Sequence, residues 1–124
     1  MSGQRYGIDP RLLVAIAGAE SSFGAKLCAP FNAWGWGCPN APFAFTSWSD
    51  GIDRIASGLQ RFYVSEGRVS VIAIHEKYAP NNAGNDPLGL NSYWVGNVSR
   101  FLIEQGGNPA YIVYGSSAAN GGTL

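Results

Sequence analysis

Glu20 is the single charged residue in a run of small and aliphatic side chains, AIAGAESSFG, at positions 15–24. It follows Ile16 by four residues and Ala17 by three, which is the spacing of side chains on one face of a helix. Removing a carboxyl from water favours its protonated form and raises its pKa. Such a carboxyl can donate a proton near neutral pH, so Glu20 is a candidate general acid.

The same glutamate also has a purely structural interpretation. Its side chain can form an ion pair with Arg11 or Lys26, or cap a neighbouring helix, and such pairs also perturb carboxyl groups. Ser21 presents a similar choice, because its hydroxyl can orient Glu20 or cap the end of the helix. The spacing alone leaves both interpretations open.

Four further side chains are candidates for contact with a ligand. Trp34 and Trp36 alternate with small residues in NAWGWG, which allows their rings to lie flat on a surface and stack on sugar rings. Since tryptophans can equally cover a small core, we expect one of each kind. Asn32 suits an N-acetyl group, although an Asn is also typical of a turn. Phe23 is the fourth candidate, just after the glutamate.

Tyr78 ends the apolar face of a predicted helix, so we expect a buried ring whose hydroxyl reaches a cleft. The alternative is a core tyrosine whose hydroxyl is satisfied by a backbone carbonyl. His75 is the only histidine and accompanies no nucleophile motif, so we expect it at the surface or behind the site. No metal is expected, because the cysteine spacing does not match a zinc site.

Cys28 and Cys38 close a short loop rich in Pro, Gly and Trp, LCAPFNAWGWGCP. Their closeness and the turn-rich sequence favour a disulfide over two reduced, buried thiols. On the loop-entropy model such a bridge stabilises the fold by up to about 3 kcal/mol. A disulfide in turn indicates an oxidising compartment.

Length and charge exclude several classes of protein. The 124 residues fit one domain with a single core. Eight basic and eight acidic side chains cancel, which gives no attraction for nucleic acid or an anionic membrane. No segment is long and apolar enough for a transmembrane helix. The opening residues, MSGQRYG, lack a secretion-signal pattern, and we expect a monomeric domain of a larger protein.

Four helices are predicted to position these residues. The first begins after the N-cap Asp9 and stops at Gly24, and the second runs from a capping box at 47–50 to Gly67. The third covers about 69–78 and the fourth about 91–105. The expected inward residues are Leu13, Ile16, Ala17 and Glu20; Ile52, Ile55, Leu59, Phe62 and Tyr63; Val71, Ile74 and Tyr78; and Trp94, Val98, Phe101 and Leu102.

The predicted fold class is therefore mainly α, with an aromatic, disulfide-closed loop beside the first helix and little or no β-sheet. Residues 4–107 are expected to form the domain. Residues 108–124 form a tail with an apolar patch at 111–114 and then a linker-like end, and residues 81–87 read as a loop.

Four segments, in order, resemble the lysozyme-like enzymes that cleave peptidoglycan. YGIDPRLLVAIAGAESSFG, at 6–24, is similar to their catalytic helix, which ends in a glutamate followed by a serine. NAWGWG, at 32–37, looks like their Asn-aromatic-Gly loop, and FTSWSDGIDRI, at 45–55, is similar to the start of the next helix in the glucosaminidase group. KYAP followed by YWVGNVSRF resembles the closing tyrosine motif and final helix. The best resemblance is to soluble lytic transglycosylases and bacterial β-N-acetylglucosaminidases.

This resemblance implies a lysozyme-like fold and a set of roles. Glu20 would be the acid, with Ser21 and Tyr78 supporting it, and the glycan would contact Phe23, Asn32, Trp34 and Trp36. The implied reaction is cleavage of the β-1,4 bond between N-acetylmuramic acid and N-acetylglucosamine, without metal or cofactor. The implied partner is the peptidoglycan glycan strand, and the implied location is extracellular or in the cell envelope.

Two outcomes of that cleavage are open. Hydrolysis by paired carboxylates needs a second carboxylate within about 5 to 10 Å of the acid, and Asp50, Asp53 and Asp86 are each explained by helix or turn positions. A lytic transglycosylase needs Glu20 alone, first as acid and then as base toward the C6 hydroxyl of the sugar. We therefore favour the transglycosylase over a hydrolytic muramidase or glucosaminidase, although GWGC at 35–38 replaces the usual Gly-Leu-Met-Gln. A wall-binding module without activity is the second alternative to the transglycosylase, and a purely structural helical domain without glycan affinity is the third.

Overall fold

The computed structural model of the protein describes residues 6–81, 83 and 89–113. Over these residues the chain forms four α-helices and two short 3₁₀ helices and has no β-strand; a lone antiparallel bridge joins Ile8 and Val113. The mainly α class is confirmed. Asp86, most of the predicted 81–87 loop, the last residue of the predicted 111–114 patch and the linker-like end at 115–124 lie outside the described residues. The helices are α1 Pro10–Ser21, α2 Trp48–Phe62, α3 Val71–Tyr78 and α4 Trp94–Glu104, and the 3₁₀ helices are Val64–Glu66 and Leu90–Tyr93.

Helix α1 begins as predicted and ends earlier than predicted. The Asp9 carboxylate accepts a hydrogen bond from the Arg11 backbone N–H at 3.0 Å and also pairs with the Arg11 guanidinium. The helix ends at Ser21, before Gly24, because Ser22 and Phe23 both take left-handed backbone angles, with φ of 53° and 58°. Their N–H groups return to carbonyls in the last turn of α1.

Helix α2 begins at the predicted cap, where the Ser47 hydroxyl accepts from the Asp50 N–H at 2.9 Å. It ends at Phe62, and a 3₁₀ turn rather than α-helix leads to Gly67. The prediction that Phe62 faces inward was wrong, since its side chain is 47% exposed. The chain leaves the helix at Tyr63, whose backbone is no longer helical, and Tyr63 takes the buried position instead.

Helices α3 and α4 are shorter than their patterns predicted. Ser70 caps α3, so the helix begins at Val71, and the carbonyl of Val69 instead accepts from the Ile112 N–H at 2.8 Å. A 3₁₀ turn occupies the predicted first turn of α4, which begins at Trp94. Their apolar faces are buried with those of α1 and α2 in one core, and α1 packs most extensively against α4.

The aromatic loop, residues 28–46, lies beside α1 and carries the predicted disulfide, because Cys28 and Cys38 are bonded. Asn32 holds this loop together from inside. Its side-chain amide donates to the carbonyls of Trp36 and Phe43 at 2.8 and 2.9 Å, while its Oδ1 accepts from the N–H groups of Trp34 and Trp36. The loop therefore has a fixed shape although it contains no strand.

The segment after α4 packs back onto the helices. Ile112 is fully buried in the core, and its carbonyl accepts from the Asp9 N–H at 2.8 Å. This contact connects the start of α1 to the start of α3. In the described part of the chain, no helix has the length and apolar character needed to cross a membrane.

Candidate active site

Glu20 lies in a cleft of about 560 Å³ where the end of α1 meets the aromatic loop and the end of α3. We call this the Glu20 cleft. Its other described lining residues are Gly35, Cys38, Pro39, Lys77, Tyr78, Ala79, Pro80, Ala83 and Asn91. The carboxyl is only partly exposed, and Gly35 lies so close that a Cβ there would be 2.6 Å from Glu20 Oε1. A glycine at position 35 is thus what leaves space for the carboxyl in the cleft.

The electrostatics of Glu20 suit a proton donor. Burial raises its pKa from the ordinary value of 4.5 to about 6, and a hydrogen bond from the indole N–H of Trp94 to Oε2, 2.9 Å long, partly offsets this rise. Glu20 forms no ion pair with a described residue, and Arg11, one of its expected alternative partners, pairs with Asp9. The carboxyl is therefore half-protonated at about pH 6.

Trp94 is the functional contact that the sequence pattern did not identify. It was expected only as a core residue at the start of α4, and its side chain is indeed 4% exposed. The feature of the sequence that could have indicated this contact is the indole N–H of Trp94, because a buried indole N–H usually donates to an acceptor. The ring lies against His75, with centroids 5.7 Å apart, and His75 Nε2 lies 3.1 Å from the Asn91 carbonyl. His75 thus supports Trp94 rather than the acid directly.

Tyr78 lines the Glu20 cleft and lies close to the Glu20 carboxyl, but its hydroxyl does not donate its proton to that carboxyl. The hydroxyl donates to the backbone carbonyl of Trp34, which is the structural alternative considered for this residue. Burial, and next the nearby charge of Glu20, raise the pKa of Tyr78 well above its ordinary value. Tyr78 is therefore a neutral wall of the cleft.

Tyr63 is a second tyrosine near the site, expected from its spacing only as core. Tyr63 lines a cavity of about 190 Å³ that adjoins the Glu20 cleft. The cavity and the cleft are both lined by Gly35, Cys38 and Tyr78. Burial is the largest influence on its hydroxyl and raises its pKa to about 12, with a smaller contribution from the charge of Glu20. The cleft therefore continues along the aromatic loop toward Tyr63.

The two tryptophans of the aromatic loop differ in placement. Trp34 is 4% exposed and its indole N–H donates to the Leu13 carbonyl at 2.9 Å, so its ring belongs to the core. Trp36 is partly exposed and packs over Gly58, where a Cβ would lie 2.8 Å from the ring. Trp36 is therefore the tryptophan whose ring can meet a ligand. Asn32 is 1% exposed and, as described above, its side chain is occupied by the loop.

Ser21 and Phe23 do not join the Glu20 cleft. The Ser21 hydroxyl donates to the Ala17 carbonyl and accepts from the Gly24 N–H, both at 2.9 Å, so it caps the end of α1. Phe23 packs edge-on against Phe101 and borders a separate apolar groove of about 320 Å³ beside Trp48. Both residues shape the turn that follows the acid.

Among the acidic residues that the structure describes, Glu20 alone lines the cleft. Asp50 accepts from the Thr46 N–H and from Arg54 at the start of α2, and these hydrogen bonds lower its pKa. Asp53 borders a different cavity on the outer side of α2. The described groups of the cleft thus supply one carboxyl, the Lys77 ammonium, which pairs with Glu66, and neutral hydrogen-bonding groups.

No protein-family model matches the chain, and no curated protein is significantly similar to it.

Proposed function

We propose that this protein cleaves the β-1,4 glycosidic bond of peptidoglycan between N-acetylmuramic acid and N-acetylglucosamine, with Glu20 as the general acid. One observation carries the proposal: a partly buried carboxyl with a pKa of about 6 opens into a cleft of about 560 Å³. The order of the four resembling motifs and the helical architecture support a lysozyme-like fold. The Cys28–Cys38 disulfide supports an extracellular or cell-envelope location.

The first step is protonation of the leaving group. Neutral Glu20 gives its proton to the glycosidic oxygen as the bond from the muramic acid C1 to that oxygen breaks, and the bonding electrons leave with the oxygen. The acetamido carbonyl of the same sugar stabilises the positive charge that develops at C1. Trp94 stabilises the Glu20 carboxylate that remains, because its N–H hydrogen bond to Oε2 is strengthened by the charge.

The second step returns the proton without water. The Glu20 carboxylate removes the proton from the C6 hydroxyl of the muramic acid, and the C6 oxygen bonds to C1 to give a 1,6-anhydro sugar. Glu20 is then neutral and ready for another cycle. This route suits a cleft in which Glu20 is the only carboxylate among the described lining residues. If water attacks this C1 instead, the same site gives a muramidase, and if the C1 attacked belongs to N-acetylglucosamine, it gives a glucosaminidase.

The experiment is the clearing of a cell-wall suspension by wild-type protein and by the Glu20→Gln variant. Glutamine keeps the shape and can accept from Trp94 but has no transferable proton, so we expect a loss of at least about a hundredfold. Glu104→Gln is the matched control, because Glu104 is exposed at the end of α4. Equal clearing by wild type and Glu20→Gln would contradict the proposal.

The chemical outcome is read by mass spectrometry of the released fragments. Anhydromuramic ends indicate the transglycosylase, whereas reducing muramic or glucosamine ends indicate a hydrolase. Protein that binds sacculi but releases no fragments would be a wall-binding module, and the proposal of catalysis would then be wrong.

A further inference from the structure

A cavity of about 280 Å³ lies between the outer face of α2 and the aromatic loop, and no step of the proposed reaction uses it. We call it the arginine–aromatic site and define it by Trp36, Phe43, Asp53, Arg54, Arg61 and Phe62. Trp36 also lines the cavity next to Tyr63 that adjoins the Glu20 cleft. The two regions therefore meet at one tryptophan ring.

The Arg61 guanidinium makes this site favourable for an anion. Two guanidinium groups, those of Arg54 and Arg61, and one carboxylate, that of Asp53, line the cavity. Arg54 is already engaged in an ion pair, because its Nε–H donates to Asp50 at 2.9 Å. Arg61 lies over the Phe62 ring at 5.3 Å and, within the described ranges, forms no ion pair. A planar guanidinium fixed on a ring is well suited to bind a carboxylate through two hydrogen bonds.

The same site also presents apolar surface. Phe43 and Phe62 are 51% and 47% exposed. Exposed aromatic rings next to the Arg61 guanidinium fit a ligand that carries both carboxylate and short aliphatic groups. A short acidic peptide has this chemistry, whereas a neutral glycan does not.

We propose that the arginine–aromatic site binds the carboxylate-bearing stem peptide of the wall polymer whose glycan occupies the Glu20 cleft. This inference rests on the proposed function, because it assigns the peptide part of the same substrate. The stem is attached to the lactyl group of muramic acid and so projects sideways from the glycan. Trp36, shared by both regions, provides the surface along which the stem passes from one to the other.

The direct test is a titration of the labelled protein with the tripeptide L-alanyl-γ-D-glutamyl-L-lysine, in which NMR chemical shifts of the protein report binding. We expect saturable shifts at the amides of residues 53–62 and a Kd about tenfold weaker in Arg61→Gln, a typical loss for a charge-assisted hydrogen bond. Arg100→Gln is the matched control, because Arg100 also lies over the following phenylalanine, at 4.7 Å, but on α4. A tripeptide with both carboxylates amidated should bind more weakly than the acid form.

Shifts at other residues, no saturable binding, or equal binding of the amidated peptide would each overturn the inference. This measurement needs no catalysis, so its result is separate from that of the proposed function. If the peptide binds at residues 53–62 but the protein clears no cell wall, the peptide-binding site is supported and the proposed catalytic function is wrong.

A second measurement uses turnover. The ratio of kcat/KM on stem-bearing strands to kcat/KM on strands stripped by an amidase should fall about tenfold in Arg61→Gln, through a higher KM on the stem-bearing substrate. Arg100→Gln should keep the wild-type ratio. Wild-type protein that cleaves both strands equally well would show that the stem contributes no binding energy, which contradicts the inference.

Discussion

Glu20 is under two opposing influences at the scale of a single residue. Burial raises its pKa and the indole N–H of Trp94 lowers it, and the effect of burial is the larger, which leaves the pKa at about 6. Trp94 thus keeps the carboxyl from becoming too weak an acid while still allowing it to hold a proton. The pair spans 74 positions in the chain, so it exists only because α1 and α4 pack together.

The Trp94→Phe substitution tests this balance. Phenylalanine keeps an aromatic ring against His75 and Tyr78 but removes the N–H donor, so the pKa of Glu20 should rise above about 6. Because the protonated form is the acid, the alkaline limb of the pH profile of kcat/KM should move to higher pH. Titration of the labelled Glu20 carboxyl carbon by NMR checks the same shift directly. If the variant is folded and both the alkaline limb and the NMR titration stay at their wild-type pH values, the predicted rise in the pKa of Glu20 is contradicted.

The raised pKa of Glu20 also predicts a stability cost. The unfolded carboxyl titrates near 4.5 and the folded one near 6, so the folded state loses stability as the pH rises through this window. Glu20→Gln avoids the loss and should be more stable than wild type above pH ~7, by up to about 2 kcal/mol. Below pH ~4 both forms are neutral and the difference should vanish. Urea unfolding at the two pH values, with Glu104→Gln as control, measures it.

The sequence predicted the position of Glu20 but not its partners. Spacing from Ile16 and Ala17 placed the carboxyl at the edge of the core, and it is partly buried there. The contacts of Trp94 with Glu20 and of Tyr78 with Trp34 join residues 74 and 44 positions apart. No local pattern encodes contacts of this kind, because they depend on how the helices pack.

At the scale of elements, the starts of α1 and α2 were predictable and their ends were not, whereas α3 and α4 begin later than predicted and end close to the predicted residues. Asp9 and Ser47 cap their helices through their own side chains, which is local chemistry that a sequence displays. The end of α1 depends instead on tertiary packing, since Phe23 turns back to meet Phe101, 4.9 Å away, over Gly18. Likewise the helical spacing of apolar residues in α2 assigned Phe62 to the core, but the helix ends at Phe62, and the side chain of Tyr63 is buried in the core instead.

Gly35 of the aromatic loop has two roles, because its backbone takes a positive φ and its lack of a side chain leaves space for Glu20. A pair of glycine variants separates these roles. Gly35 and Gly67 both have positive φ, 68° and 87°, so alanine should cost about 1–2 kcal/mol of stability at either position. Only at Gly35 would the new Cβ meet Glu20, 2.6 Å from Oε1, whereas at Gly67 no atom lies within 4 Å. Gly35→Ala should therefore lower kcat more than tenfold, and Gly67→Ala should leave it near wild type.

Thermal melts and wall-clearing assays on both variants measure these effects. Equal activity of the two variants at equal stability would mean that the carboxyl moves aside without consequence. The close approach of the loop to the acid would then have no catalytic importance.

At the scale of the whole molecule, one aromatic cluster joins every part of the site. The rings of Trp36, Tyr63, Tyr78, Trp94 and His75 lie in successive contact, with centroids 5.4 to 6.3 Å apart. They come from the aromatic loop, the end of α2, and helices α3 and α4. Tyr78 of this cluster forms a wall of the Glu20 cleft, and Trp36, Tyr63 and Tyr78 line the adjoining cavity. The composition of the cluster was visible in the sequence, although its assembly was not.

The disulfide is the covalent tie that keeps the aromatic loop on this wall. Cys28 and Cys38 are 10 positions apart, and Cys38 lines the Glu20 cleft together with Gly35. Replacing both by serine should lower the free energy of unfolding by up to about 3 kcal/mol. For a chain of this size, each kcal/mol corresponds to roughly 4 °C in Tm. Calorimetry should therefore show a clear drop in Tm for Cys28→Ser/Cys38→Ser.

A reducing agent provides the control for that prediction. Dithiothreitol should lower the Tm of the wild type toward that of the double variant and leave the double variant unchanged. Wall clearing by the double variant should fall at temperatures where the helices are still folded, because the loop that holds Gly35 against Glu20 loosens before the core does. A double variant with the Tm and activity of the wild type would show that the Asn32 hydrogen bonds hold the loop without the bridge.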